Sequence, residues 1–118
     1  MKMKITEDMT HCIICGNPAV EVHHIFGGPN RRNAGEDELV VPLCREHHNM
    51  GTPVKMSPSV HQNADMMKLF HMLGQLAFER NYLADVIANM DAGEEYSAED
   101  AIEESVMVFR NRYGRNYL

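Results

Sequence analysis

Cys12 and Cys15 are separated by two residues, and 28 residues further on the chain offers Cys44 and His47 at the same spacing. A turn carrying such a pair holds two ligand atoms about 3 to 4 Å apart, which is what one ion bound at roughly 2.0 to 2.3 Å requires. Two pairs supply the four nitrogen and sulfur ligands of a closed tetrahedral structural Zn2+ site. His48 adjoins His47, so either imidazole is placed to complete the set. These are all three cysteines of the chain. An odd number, with two of them so close together, argues against a disulfide framework and for thiolate ligands kept in a reducing cytoplasm. In 118 residues a core alone gives limited stability, so a metal staple meets a real need.

Seventeen acidic residues against eleven basic ones leave a formal charge of -6, the wrong sign for a protein that coats nucleic acid. Any contact with DNA must be local or made through a metal. From Asn81 to Phe109 there are eight carboxylates and no Lys or Arg, so this segment is expected to face away from DNA. No run approaches the 18 apolar residues of a membrane span, and the start of the chain lacks the apolar stretch of a signal peptide. The expectation is a cytoplasmic protein without a membrane segment.

The chain reads as a single domain over 1–118, with an N-terminal arm at 1–11, a zinc-stapled core at 12–61 and a helical C-terminal part at 62–118. The arm has room for a short strand near Met3 to Ile5. Ala19 to Phe26 is rich in β-formers and alternates Val20, Val22 and His24 with Glu21 and His23. Gly27 to Glu38 is dense in Gly, Pro and Asn and predicts a loop. Leu39 to Leu43 predicts a second strand, and Pro42, which cannot donate to a ladder, places it at an edge or at its end. Cys44 starts a short helix that Gly51-Thr52-Pro53 ends, and a second loop runs to Ser59. From about Asn63, Met66, Leu69, Phe70, Leu73, Leu76 and Ala77 form the stripe of an amphipathic helix that either continues to Met90 or breaks near Asn81. After a turn at Asp91 to Tyr96, Ser97 and Asp100 resemble a capping box. The last helix is then expected over Ala98 to Tyr113, with Ile102, Val106, Phe109 and Tyr113 buried and Gly114 as its stop.

Beyond the zinc ligands, the histidine pair His23-His24 stands on the first strand, with His48 and His61 further along. Neighbours on a strand project to opposite faces, so His23 and His24 must have different roles. Cys12-x2-Cys15, Val22-His23-His24-Ile25 and Leu43-Cys44-x2-His47-His48 together resemble the HNH endonucleases, the His-Me finger or ββα-metal family, over about Cys12 to Asn49. The run HHIFGGPNRR, the LCREHHN segment and VHQN at 60–63 are similar to small HNH proteins encoded by phages and prophages. The resemblance implies a small α+β, zinc-stapled ββα-metal domain with a C-terminal helical layer, and metal-dependent hydrolysis of DNA phosphodiesters. By position, His23 and His48 become ligands of a catalytic divalent metal (Mg2+, Mn2+, Ni2+ or Zn2+), His24 the general base and His61 a third ligand. Many family members carry an Asn just before the second strand, bracing the base loop. Leu39 stands there in this chain, with Asn30 or Asn33 as the available substitutes.

Arg31, Arg32 and Asn30 follow the base strand and are the candidates for substrate phosphate contact, since a guanidinium grips a phosphate with two donors. Arg45 and Lys55 are secondary candidates, and Arg110, Arg112 and Arg115 form a basic tail. So few cations predict weak, salt-dependent binding, with selectivity for DNA shape rather than for a long sequence. His11 and His71 receive no chemical role. The alternative to a nuclease is a non-catalytic zinc-binding module for nucleic-acid or protein interaction, in which the extra histidines only stabilise.

Overall fold

Val20–His24 (β1) pairs antiparallel with Val40–Cys44 (β2), Val20 standing opposite Cys44 and His24 opposite Val40. The computed structural model to which this hairpin belongs describes residues 2–50, 59–91, 93 and 97–118. Pro42 lies opposite Val22, and its carbonyl accepts from the Ile13 N–H at 2.9 Å on the side away from β1. The N and O of one strand residue project to the same side, so the donor that Pro42 lacks would have pointed outward too. The edge position expected for this proline holds, and β2 gives its outer edge to the knuckle at Cys12–Gly16.

Residues 27–38 are not the open loop that their Gly, Pro and Asn content predicts. A 3-10 turn over Gly28–Asn30 leads into a six-residue helix, α1, at Arg31–Glu36. Pro29 fixes the backbone angle of the turn's start, and Ala34 alone of α1 is buried. One small apolar residue among polar ones leaves no stripe for periodicity to detect. The bonds Asp37 N–H to Asn33 O and Leu39 N–H to Ala34 O then fold the chain back into β2.

From Cys44 the chain turns into a π-helical turn at Glu46–Met50, in place of an α-helix. The expected stop at Gly51-Thr52-Pro53 and the loop that follows fall on 51–58, outside the described residues, as does Lys55. Most of the expected turn at Asp91 to Tyr96 lies outside them as well. A 3-10 turn over Val60–Gln62 leads into α2, Ala64–Ala88, whose N-cap Asn63 accepts from the Met66 N–H at 3.0 Å. The helix does not break at Asn81, where the side-chain amide instead donates back to the Ala77 carbonyl at 2.7 Å. Among the described residues no helix is long and apolar enough to cross a membrane.

The buried face of α2 departs from the stripe expected. Phe70 and Ala77 face the core, together with Gly74, Gln75 and Phe78, but Leu69 and Leu76 are 55% and 53% exposed. Gly74 decides this orientation: a Cβ there would sit 2.5 Å from Ile25 Cγ2 and 3.0 Å from the Phe26 ring. The glycine lets the helix backbone lie on the residues that follow β1. Gly74→Ala is therefore expected to destabilise the fold by about 1 to 3 kcal/mol through overpacking, despite a helix preference for Ala of about 1 kcal/mol. Chemical denaturation checks it, and an unchanged or raised midpoint would count against this account of the contact.

Ala98–Tyr113 forms α3, with Ser97 accepting from the Asp100 N–H at 3.3 Å and Gly114 closing the helix in the left-handed region at φ 86. Ala101, Ser105, Phe109 and Tyr113 are buried at four-residue steps, whereas Ile102, expected inside, is 53% exposed. Phe26 is the centre of the core, its ring lying 4.6 Å from Tyr113, 5.6 Å from Phe109 and 5.4 Å from His71. No strand forms at Met3 to Ile5. Met3 is instead fully buried, with its N–H bonded to the Asp37 carbonyl.

Candidate metal centres

The knuckle at Cys12–Gly16 closes on a Gly16 N–H to Cys12 O bond of 2.8 Å, with Gly16 at φ 79. That turn and the end of β2 bring Cys12, Cys15, Cys44 and His47 together, with all four ligand atoms within 4.8 Å of one another. Cys15 Sγ lies 3.7 Å from Cys44 Sγ, while His47 Nδ1 lies 3.2 Å from Cys44 Sγ and 3.7 Å from Cys12 Sγ. The edge of a tetrahedron around zinc with N and S ligands is about 3.3 to 3.8 Å. The four side chains thus form a set able to hold a structural ion such as zinc. Burial pushes the Cys12 thiol up, but bonds from the backbone of Cys44, Cys15 and Ile14 outweigh it and bring its pKa down to about 6. Burial raises that of Cys44.

Of the two candidates for the fourth ligand, His47 takes the place. Consecutive residues on a helical turn project about 100° apart. His47 therefore turns to the cysteines, and His48 turns to the other side of the hairpin.

There His23, His48 and His61 converge, with one nitrogen from each within 4.8 Å of the others. His23 is 3% exposed, and its Nε2 is buried with no hydrogen-bond partner among the described residues. His48 and His61 point their Nε2 atoms at each other, 3.1 Å apart, and both rings stand about 5 Å from that of His23. Burial, with the neighbouring imidazoles His61, His48, His24 and His71, lowers the pKa of His23 to about 4. His61 is lowered by burial and by His48. His23 therefore keeps its lone pair at neutral pH, the form in which imidazole binds metal. A buried nitrogen left without a partner is costly, and a shared cation relieves it.

Glu21 is the residue that reading the sequence missed. Its Oε1 stands 2.9 Å from His48 Nδ1, on the same face of β1 as His23. The carboxylate accepts, which puts the imidazole proton on Nδ1 and the lone pair on Nε2 toward the cluster. The period-two alternation already placed Glu21 with His23; only its partner, 27 residues away, was out of sight.

His24 projects to the other face of β1, as alternation requires, and lies over α1 with Nε2 3.6 Å from where a Cβ on Gly35 would be. Burial and the charge of Arg31 depress its pKa. Arg31 is exposed, and Arg32 pairs with Glu36 at 3.1 Å. Asn30 and Asn33 donate to the carbonyls of Tyr113 and Arg112, at 3.0 and 3.1 Å, which closes the end of α3. In the basic tail Arg112 is held by Asp37 and Glu36, and Arg115 lies 4.6 Å over the Tyr117 ring. His11 bonds to Thr10 and Asp8, and His71 stacks on Phe26.

Comparison of the chain with protein-family models, with curated proteins and with solved structures found no match.

Proposed function

We propose that this protein is a metal-dependent endonuclease of the HNH type that hydrolyses DNA phosphodiester bonds. The observation that carries the reading is the convergence of one ring nitrogen each from His23, His48 and His61, with the Nε2 of His23 buried and orphaned, beside a separate four-ligand cluster. A zinc staple needs four ligands, and this chain supplies three further imidazoles at one point, one of them oriented by Glu21. His23, His48 and His61 would hold a divalent cation, and nitrogen ligands favour the transition metals within the range Mg2+, Mn2+, Ni2+ and Zn2+. Such an ion supplies Lewis-acid stabilisation of negative charge on a phosphate and its leaving oxygen.

The chain's own residues do the rest. His24 takes a proton from water at an imidazole nitrogen, and its depressed pKa keeps it in the accepting form at neutral pH. Arg31, exposed on α1 and close enough to His24 to lower its pKa, binds a phosphate oxygen. With Arg32 and Arg112 paired to carboxylates, few cations remain for the DNA backbone, which favours weak binding and selection by shape.

The reading is tested by metal content and plasmid nicking together. Two occupied sites per chain and metal-dependent conversion of supercoiled to nicked plasmid are expected. One tightly bound zinc, with no cutting across a series of divalent metals, would leave the non-catalytic zinc module instead.

A further inference from the structure

The face of α2 turned away from the core carries its own apolar line. Leu69, Leu73, Leu76, Arg80, Leu83 and Ile87 follow one another at alternating steps of four and three residues. That alternation keeps them on one stripe of a helix, which is the pattern of a coiled-coil seam. At about 100° per residue the stripe lies opposite Gly74 and Phe78, the residues that face the core. Leu69, Leu76 and Ile87 are 55%, 53% and 69% exposed, and Leu73 and Leu83 are half-buried at its margins. Hydration of the large apolar side chains at Leu69, Leu73 and Leu76 is unfavourable, and a matching stripe would remove it there.

We infer that this stripe is a dimer interface on which a second copy of the chain packs its own α2 antiparallel. Self-complementarity picks out this occupant and this direction. A two-fold axis passing between Met72 and Leu73 sets Leu69 opposite Leu76 of the second copy and Met72 opposite Leu73. The same axis sets Asp65 opposite Arg80, twice. Asp65 and Arg80 are both exposed and form no ion pair with one another or with other described residues. A parallel arrangement sets Arg80 against Arg80 and Asp65 against Asp65, so charge rejects it. An isologous contact requires one patch to complement itself, and this one does so only in the antiparallel sense. Arg80 also interrupts the leucines at a single seam position, the usual device for fixing register.

Sedimentation velocity of the zinc-loaded full chain is expected to show a dimer at about 100 µM, within reach of a modest helical interface. Leu76→Glu is expected to raise the dissociation constant at least about 100-fold, with zinc content and circular dichroism unchanged. Arg80→Asp weakens the dimer, and Asp65→Arg added to it restores association, which a folding defect at Leu76 could not imitate. A monomeric parent at that concentration overturns the inference, as does a dimer that persists in Leu76→Glu. Failure of the charge swap to restore association overturns the antiparallel register.

Discussion

Removal of the ion from the Cys12, Cys15, Cys44 and His47 cluster is expected to unfold the N-terminal half of this protein. The hairpin there has two strands of five residues each, a structure that is marginal by itself in water. Its outer edge is held by the knuckle, through the Ile13 N–H to Pro42 carbonyl bond, and the knuckle is held by the thiols of Cys12 and Cys15. Cys12, Cys44 and His47 are 3%, 4% and 9% exposed. Without an ion, the buried sulfurs of Cys44 and Cys12 lie 3.2 and 3.7 Å from the buried His47 Nδ1, and Cys15, exposed, closes the set 3.7 Å from Cys44, so two buried thiols bear desolvation that an ion would offset. A structural zinc in a small domain contributes about 10 to 16 kcal/mol of apparent binding free energy at neutral pH. Total stability of a native protein is about 5 to 15 kcal/mol, so the ion outweighs any single packing contact. A strong chelator or Cys44→Ser should collapse the thermal transition, and added zinc should restore it for the chelated parent but not for the variant. An unchanged midpoint after complete loss of zinc would mean that the hairpin stands on its own packing.

The four-ligand set able to hold zinc was legible from the sequence because its spacing is local: each pair of ligands sits on one turn, and a turn fixes its own geometry. Choosing between His47 and His48 needed the third dimension, since only the direction of the turn after Cys44 separates them. The same contrast runs through the helices. Ser97, Asp100 and Gly114 mark the ends of α3 because caps are local chemistry, and the structure ends the helix there. Burial is not local. Leu69 and Leu76 fit a buried stripe as well as Phe70 and Ala77 do, and what excludes them is the close approach at Gly74. Glu21 and His48 are 27 residues apart and meet through the packing of the hairpin against the π-helical turn. Asn30, a candidate for substrate contact, has its amide on α3, a helix 83 residues away in the contact it makes. Side chains that bond across such separations carry no signature in their own neighbourhood.

The histidine pair on β1 allows the proposed chemistry to be divided between two faces of one strand. His24→Ala is expected to lower the nicking rate by about 100- to 10,000-fold, the usual contribution of a positioned general base. Fold and metal content should not change, because His24 lies over Gly35 on α1 and is not part of either metal cluster. His23→Ala acts on the other face, where it removes one of three converging nitrogens and so lowers occupancy of that site. Its loss of activity should be partly recovered by raising the metal concentration, whereas that of His24→Ala should not. Glu21→Gln should fall between them, weakening metal affinity by about 10- to 100-fold, since a carboxylate on the far nitrogen orients His48 and fixes its proton on Nδ1. Metal titrations of the three variants, followed by nicking at saturating metal, separate these effects. A His24→Ala variant that cuts as fast as its parent removes the base from His24. A His23→Ala variant that keeps two ions per chain takes His23 out of the second metal site, and the orphaned nitrogen of the parent would then need another partner.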